Sequence, residues 1–286
     1  MSLDTPTGEG ALESIWRCPV CQEPLKFQDN QGYCDNNHRF DRARQGYYNL
    51  LLANQKRSND PGDTREMMLR RRTFLNAGHY QPLADHLCLM LRDGQDGSDK
   101  SLTVLDSGCG EGYYLEQLSH SGAVMHGYGL DISREALKLA AREYPERQWV
   151  VASSFSLPVQ SKSVDRVLRV FAPGDDAEVR RVLRDGGELW RVAPGPAHLQ
   201  QLKARLYDKV QLHKEPNIPD GFVELARDRL NFTLELSSGE QIEQLLGMTP
   251  FAWQSSPQKL EQLRQLERLE VQADFIVQRF GVDNDR

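Results

Sequence analysis

The sequence predicts an α/β chain: a mainly parallel sheet wrapped by helices, preceded by a small module held by a metal. Two observations carry this. From Leu102 onward, short apolar strand-like runs alternate with amphipathic stretches, which is the rhythm of parallel strands joined by helical crossovers. Near the N-terminus, three of the five cysteines and a histidine crowd into one short stretch at metal-ligand spacing.

Length and composition bound the reading. A chain of 286 residues accommodates one full-sized core and a small appended unit. Its hydrophobic fraction of 39% and charged fraction of 27% are those of a globular protein. No apolar run approaches the roughly 20 residues that span a bilayer, so no membrane partner is expected. Met1 to Glu13 is polar and lacks the basic end and apolar stretch of a signal peptide, so a disordered tail over residues 1–14 of a cytoplasmic protein is expected. The net charge of −6 argues against unspecific coating of nucleic acid. Charge is nonetheless uneven: His38 to Arg72 holds nine Lys and Arg against four acids, a local net of +5.

The first structured element, residues 15–45, carries Cys18-x2-Cys21-x12-Cys34-x3-His38. Two close pairs, each on a turn, can aim four ligands at one tetrahedral ion. KFQDNQGYC between them reads as a hairpin with its turn at Asp29 to Gly32. All four positions are filled, which leaves no open site for a catalytic water, so one structural zinc ion is expected. The bland alternative is buried free thiols beside a surface histidine. A ribbon of this size cannot bury enough surface to fold unaided, so the metal should supply most of its stability.

Residues 46–95 read as a basic linker and two helices, around Thr64 to Asn76 and Pro82 to Arg92. Asp63 or Thr64 is the expected N-cap and Gly78 the breaker. Residues 96–286 hold the sheet. LTVLD, VMHGYGLD, QWVVAS, VDRVLRVF and ELWRVAP read as strands, with helical stretches YLEQLSH, REALKLAARE, AEVRRVLR and HLQQLKARLY between or after them. Beyond Pro219 the order changes to FVELARDRLNFTLEL, helices near Gln241 to Leu246 and Pro257 to Arg268, and EVQADFIVQRF. Two long late strands imply an antiparallel addition at the sheet edge.

VLDSGCGEGYY, Val104 to Tyr114, is a buried strand ending in an acid, then a glycine loop, then a helix, the layout of a nucleotide-type cofactor site. A dinucleotide fingerprint starting at Gly108 and Gly110 needs its third glycine at position 113. Tyr113 stands there and Gly112 precedes it, so hydride transfer loses its key residue. Asp106-x-Gly108-x-Gly110-x-Gly112 instead resembles motif I of class I S-adenosylmethionine methyltransferases, whose fold is Rossmann-like with a mainly parallel seven-stranded sheet. By that resemblance Asp106 helps hold the cofactor's ammonium, and Gly108, Gly110, Glu111 and Gly112 form the loop passing its methionine part. Asp131, closing GYGLD, stands where the superfamily binds both ribose hydroxyls. Ser153 and Ser154 stand where it brackets the adenine, and Asp185 to Gly187 precedes the fifth strand as expected. A tight structural turn is the bland reading of the glycine loop taken alone.

The ribbon, KRSNDPGDTREMM (Lys56 to Met68), AGHYQPL (Ala77 to Leu83), DSGCGEGYY, APGPAHL (Ala193 to Leu199) and MTPFAW (Met248 to Trp253) together resemble the 23S ribosomal RNA guanine-N1 methyltransferase family, from about Cys18 to Phe280. The resemblance implies methyl transfer from S-adenosylmethionine to N1 of a guanine in a hairpin of 23S rRNA. It also implies a homodimer, and Tyr80 and His198 in the cofactor pocket. Read alone, these two are a core tyrosine and a helix-start histidine. Arg184-Asp185 departs from a common Lys-Pro, and Phe171 from a common Tyr. Neither removes an implied contact.

Guanine N1 lies on the Watson–Crick edge and bears a proton, so the base must be unpaired or flipped and the proton must leave. Asp60, Asp63 and His198 are candidates to take it; for the aspartates, turn formation and helix capping are the competing roles. RNA contacts are expected on the basic segment, with arginines including Arg70, Arg71 and Arg72 for phosphates, and Tyr47 and Tyr48 for unstacked bases. A solvated linker face is the alternative. Two rival functions stand beside this one: a small-molecule methyltransferase with a structural zinc module, and a non-catalytic RNA-binding assembly protein.

Overall fold

The computed structural model describes residues 14–55, 64–93, 101–251 and 255–283. Asp60 and Asp63 lie outside them, as does Trp253. A three-stranded antiparallel ribbon comes first: β1 (Lys26–Gln28), β2 (Gln31–Tyr33) and β3 (Arg39–Asp41). The β1–β2 turn is Asp29-Asn30, both with positive φ (49° and 62°), the backbone a two-residue hairpin of right-twisted strands requires. Gly32 is already in β2.

Next come the short β4 (Tyr48–Asn49) and helices α1 (Arg65–Asn76) and α2 (Gln81–Asp93). Thr64 caps α1, its hydroxyl accepting from the Met67 N–H at 3.3 Å, and Gly78 at φ +81° turns the chain into α2. The sheet proper then follows as β5 (Leu102–Ser107), α3 (Tyr113–Ser119), β6 (Met125–Asp131), α4 (Arg134–Glu143), β7 (Gln148–Val151), β8 (Val164–Val170), α5 (Asp176–Val182), β9 (Leu183–Pro194) and α6 (Gln200–Leu206). It finishes with β10 (Phe222–Leu236), α7 (Gly239–Gly247), α8 (Pro257–Arg264) and β11 (Leu269–Val282).

The strand order is β10-β11-β9-β8-β5-β6-β7-β4, with β11 antiparallel to both its neighbours, β10 and β9, and the remaining pairs parallel. The late antiparallel pair is as predicted, with β11 inserted between β9 and β10. The seven expected strands gain an eighth: β4, from the segment read as basic linker, pairs in parallel with β7. This corrects the role given to the two tyrosines. Tyr47 is buried, and the Tyr48 ring sits 4.7 Å from that of Phe27, so neither ring is presented for stacking on RNA.

Alternation along the strands sorts the core onto two faces. Val104, Leu168, Trp190, Val192 and Phe275 join the cluster under helices α1 to α4 and α6 to α8, whereas Leu105, Val167, Leu189 and Phe280 join the other. Helices were expected on both faces. The β7–β8 connection contains no helix, and the zinc ribbon covers the second face together with α5. Residues 15–17 run along that connection, with Gln160 N–H donating to the Ile15 carbonyl (2.7 Å) and Arg17 N–H to the Pro158 carbonyl (2.9 Å). Trp16 is fully buried, edge-on to Tyr128, and its indole N–H donates to Gln148 Oε1 at 3.0 Å. Cys18, Leu25 and Cys34 belong to the same cluster as Leu105 and Val150, so ribbon and sheet share one core.

Candidate functional site

In the ribbon, Cys18, Cys21, Cys34 and His38 bring their ligand atoms within 4.8 Å of one another. Each pair rides on a turn whose last corner has a left-handed residue, Gln22 (φ 69°) and Asn37 (φ 61°). The turns are closed by Gln22 N–H to the Cys18 carbonyl and Asn37 N–H to the Cys34 carbonyl, both 2.9 Å. A tetrahedral zinc with bonds of about 2.3 Å to sulfur and about 2.0–2.1 Å to nitrogen spaces its ligand atoms about 3.5–3.8 Å apart. Cys21 Sγ and Cys34 Sγ lie 3.6 Å apart, and Cys34 Sγ and His38 Nδ1 3.4 Å, so the donor set fits one zinc ion.

The second site is a cavity of about 600 Å³ at the C-terminal ends of β5, β6 and β8, roofed by α1 and the residues after α7. Its volume is that of a small-molecule site. Asp106, Gly108, Gly110, Glu111, Asp131, Ser153, Ser154, Tyr80 and His198, all singled out from sequence, line it. Gly112 does not. Its φ of +88° and its contact with Trp149, where an added Cβ would come within 2.6 Å of the ring, make it the glycine that seats α3 on the sheet. Gly108 (φ +88°) is required by the loops themselves, because an added Cβ would lie 2.4 Å from Ala172 Cβ.

Asp106 is 1% exposed, and among the described residues neither carboxylate oxygen has a hydrogen-bond partner. Burial, then the neighbouring Asp131 and Glu111, hold its carboxyl well above the usual range. Such an acid is satisfied by a cation in the cavity. Asp131 accepts from Gly110 N–H (2.9 Å) and Ser133 N–H (2.8 Å), tying the glycine loop to the end of β6. The Tyr80 hydroxyl is buried without a partner among the described residues, and burial pushes its pKa up. Ser153 Oγ accepts from Phe155 N–H (3.2 Å), leaving the Phe155 ring exposed at the rim.

His198, a candidate base, has one ring nitrogen occupied by the backbone. Its Nδ1 accepts from the Asp274 N–H at 3.3 Å, and burial, then His213 and Lys203, bring its pKa down to about 3. The neutral ring therefore carries its proton on Nε2 and is a donor. The loop bearing it is pinned by Asp274, which is 0% exposed and accepts from Ala197 N–H (2.9 Å) and two Arg229 nitrogens (2.8 and 2.9 Å).

Arg70, Arg71 and Arg72 are not a free RNA-binding face. Arg70 spans Glu66 (2.9 Å) and Glu243 (3.0 Å), Arg72 pairs with Glu143, and Arg71 lines the cavity beside Gly110. Sequence reasoning also missed Phe171 and His213 in the lining. Phe171 had a signal, since it ends a parallel strand before Ala172-Pro173; His213, in the stretch between α6 and β10, had none.

Comparison with known proteins gives the following. A family model described as "RlmA, N-terminal", a zinc ribbon, matches residues 16–59, and one described as "Methyltransferase domain" matches residues 104–187. The "23S rRNA (guanine(748)-N(1))-methyltransferase" of Streptomyces fradiae is 35% identical over 250 residues, 85% of this chain and 88% of that protein. A "Putative 23S rRNA (guanine-N(1)-)-methyltransferase" of Micromonospora griseorubida is 35% identical over 266 residues, again 85% and 88%. The Bacillus subtilis protein YxjB, given the same description, is 28% identical over 272 residues, 91% of this chain and 95% of that one.

Proposed function

The chain belongs to the 23S rRNA (guanine-N1)-methyltransferase family, and we infer that it transfers the methyl group of S-adenosylmethionine to N1 of a guanine in an unpaired hairpin loop of that RNA. The observation that carries the cofactor side is Asp106, a buried carboxylate without a partner on a wall shared with Glu111 and Asp131. S-adenosylmethionine brings two positive centres, the sulfonium and the ammonium, and one negative, the carboxylate. Asp106 and Glu111 suit the first two, and Arg71, the one Lys or Arg of the described lining, suits the third. Asp131, at the end of β6 on the same wall, suits the ribose hydroxyls, and Ser153 and Ser154 edge the adenine.

When bound, the cofactor supplies an electrophilic methyl group. The residues around it position the base, and positioning of this kind is worth roughly 7–11 kcal/mol in favourable cases. The half-exposed Phe171, held at φ 53° over the cavity, offers a flat face for a flipped guanine. Arg39, Arg42 and Arg44 of the same basic segment are exposed on and after β3, and in this reading they carry its phosphate contacts. A homodimer stays part of this reading on the resemblance alone. Action in the cytoplasm accords with the fact that no described helix is long and apolar enough to cross a membrane.

Incubation of the zinc-loaded protein with methyl-labelled cofactor and 23S rRNA tests the assignment. A single reverse-transcription stop is expected, because N1-methylguanine cannot pair. Label in small molecules with none in RNA would establish the small-molecule rival. Arg71→Ala should weaken cofactor binding about ten- to a hundredfold by calorimetry, the loss of one charge-assisted contact of about 1.5–3 kcal/mol. Unchanged cofactor affinity with weakened RNA binding would return Arg71 to the RNA.

A further inference from the structure

Beyond the acidic wall, the cavity has a second wall that carries His198 and His213, with Lys203 behind it. Lys203 on α6 is 5% exposed, and its Nζ donates to His213 Nε2 at 2.5 Å and lies 5.5 Å from the centre of the Phe251 ring. An ammonium has three protons and no lone pair, so His213 Nε2 must be the acceptor. The neutral His213 ring then carries its proton on Nδ1. His198, with its ring centre 6.3 Å away, is fixed in the complementary way, since the Asp274 N–H occupies Nδ1 and leaves the proton on Nε2.

Both rings line the cavity, and among the described residues neither remaining N–H donates a hydrogen bond. Each histidine is kept neutral by burial and by the Lys203 charge. Neither is a base. Together they are two donors whose tautomers are set by hydrogen bonds on the far side of each ring.

Resting on the methyltransferase reading above, we propose that His213, anchored by Lys203, donates a hydrogen bond to O6 of the target guanine, with His198 as the adjoining donor of the same wall. Guanine can attack through N1 only as the N1 proton departs, and the electron pair left behind spreads onto O6. A donor at O6 is therefore worth more as the reaction proceeds than in the bound ground state, which is the condition for lowering a barrier. The bond from N1 to the methyl carbon forms as the carbon–sulfur bond breaks, the sulfur keeps the bonding pair, and the N1 proton passes to water. A neutral imidazole suits this role, because it polarises a carbonyl without surrendering its own proton.

His213→Ala and Lys203→Met test the proposal, with cofactor affinity, RNA affinity and the pH dependence of kcat read separately. His213→Ala is expected to lower kcat about a hundredfold, as for loss of a single donor at a developing oxyanion, with cofactor affinity changed less than about threefold. Its kcat should keep rising to higher pH than wild type, because N1 deprotonation is no longer assisted. Nitrogen-15 NMR of the wild type should show a neutral His213 protonated on Nδ1, and Lys203→Met should convert it to mixed tautomers. A proton on Nε2 in the wild type would overturn the proposal, as would His213→Ala with an unshifted pH profile or a parallel loss of cofactor affinity. Failure of the methyltransferase reading itself looks different: wild-type protein would not label 23S rRNA at all.

Discussion

Stripping the zinc, or replacing Cys34 with serine, is expected to unfold far more than the ribbon. In a free-standing zinc module, metal loss melts the module and spares its neighbour. Here Cys18, Cys34, Leu25 and Trp16 form one apolar cluster with Leu105, Leu130, Val150 and Val167 of the sheet, on a face that receives no helix from the β7–β8 connection. Without the metal, nothing else in the ribbon has the buried surface to hold it in place, and that face of the central strands becomes open to water. Metal binding contributes many kcal/mol to such modules, and each 1 kcal/mol moves the midpoint of a domain this size by about 2–4 °C. Thermal unfolding of Cys34→Ser should therefore be a single transition lowered by on the order of 10 °C or more. It should be accompanied by new binding of a hydrophobic dye and by weakened cofactor binding. Two transitions, with the cofactor-stabilised one unmoved, would show the ribbon to be energetically separate.

How much of this was legible in the sequence follows from how local each signal is. The zinc ligands are read directly because two turns place them, and turns are written in adjacent residues. The ends of β5 and β6 are read for a similar reason: each strand-like run stops at an acid next to a loop, Asp106 and Asp131. The role of the ribbon as cover for the sheet was not legible. The stretch between QWVVAS and VDRVLRVF forms a loop, and which element lies over it is decided by distant residues such as Trp16 and Val159.

The arginines of α1 were misplaced for the same reason. Only Glu66 is a neighbour in sequence; Glu143 and Glu243 reach Arg72 and Arg70 through the fold. β4 is two residues whose strand character comes wholly from pairing with Val150 and Val151. His198 was placed in the pocket by resemblance, whereas its tautomer was not legible, because it depends on the backbone N–H of Asp274, seventy-six positions further along the chain.

Asp106→Asn should abolish most cofactor binding and yet make the cofactor-free, zinc-loaded protein melt higher. The carboxyl is buried among Asp131 and Glu111 without a hydrogen bond, so its folded pKa is raised above that of the unfolded chain. The sign follows: whatever stability the group contributes is fully present only below the unfolded pKa, and it is lost as pH rises through the raised folded value. Above that pH the apoprotein carries an uncompensated negative charge, and asparagine, of the same shape, does not. The gain in melting temperature should thus be larger at pH 8 than at pH 5. Cofactor binding runs the opposite way, because the sulfonium and ammonium favour the ionised acid. Wild-type affinity should tighten as pH rises through the raised pKa, with proton release detectable by calorimetry in buffers of different ionisation heat. The asparagine variant should bind about ten- to a hundredfold more weakly at neutral pH, the value of a hydrogen bond to a charged group, and show no such proton release. A pH-independent wild-type affinity, or an asparagine variant that binds normally and melts lower, would mean that Asp106 is satisfied within the protein and that the cation is held elsewhere on the acidic wall.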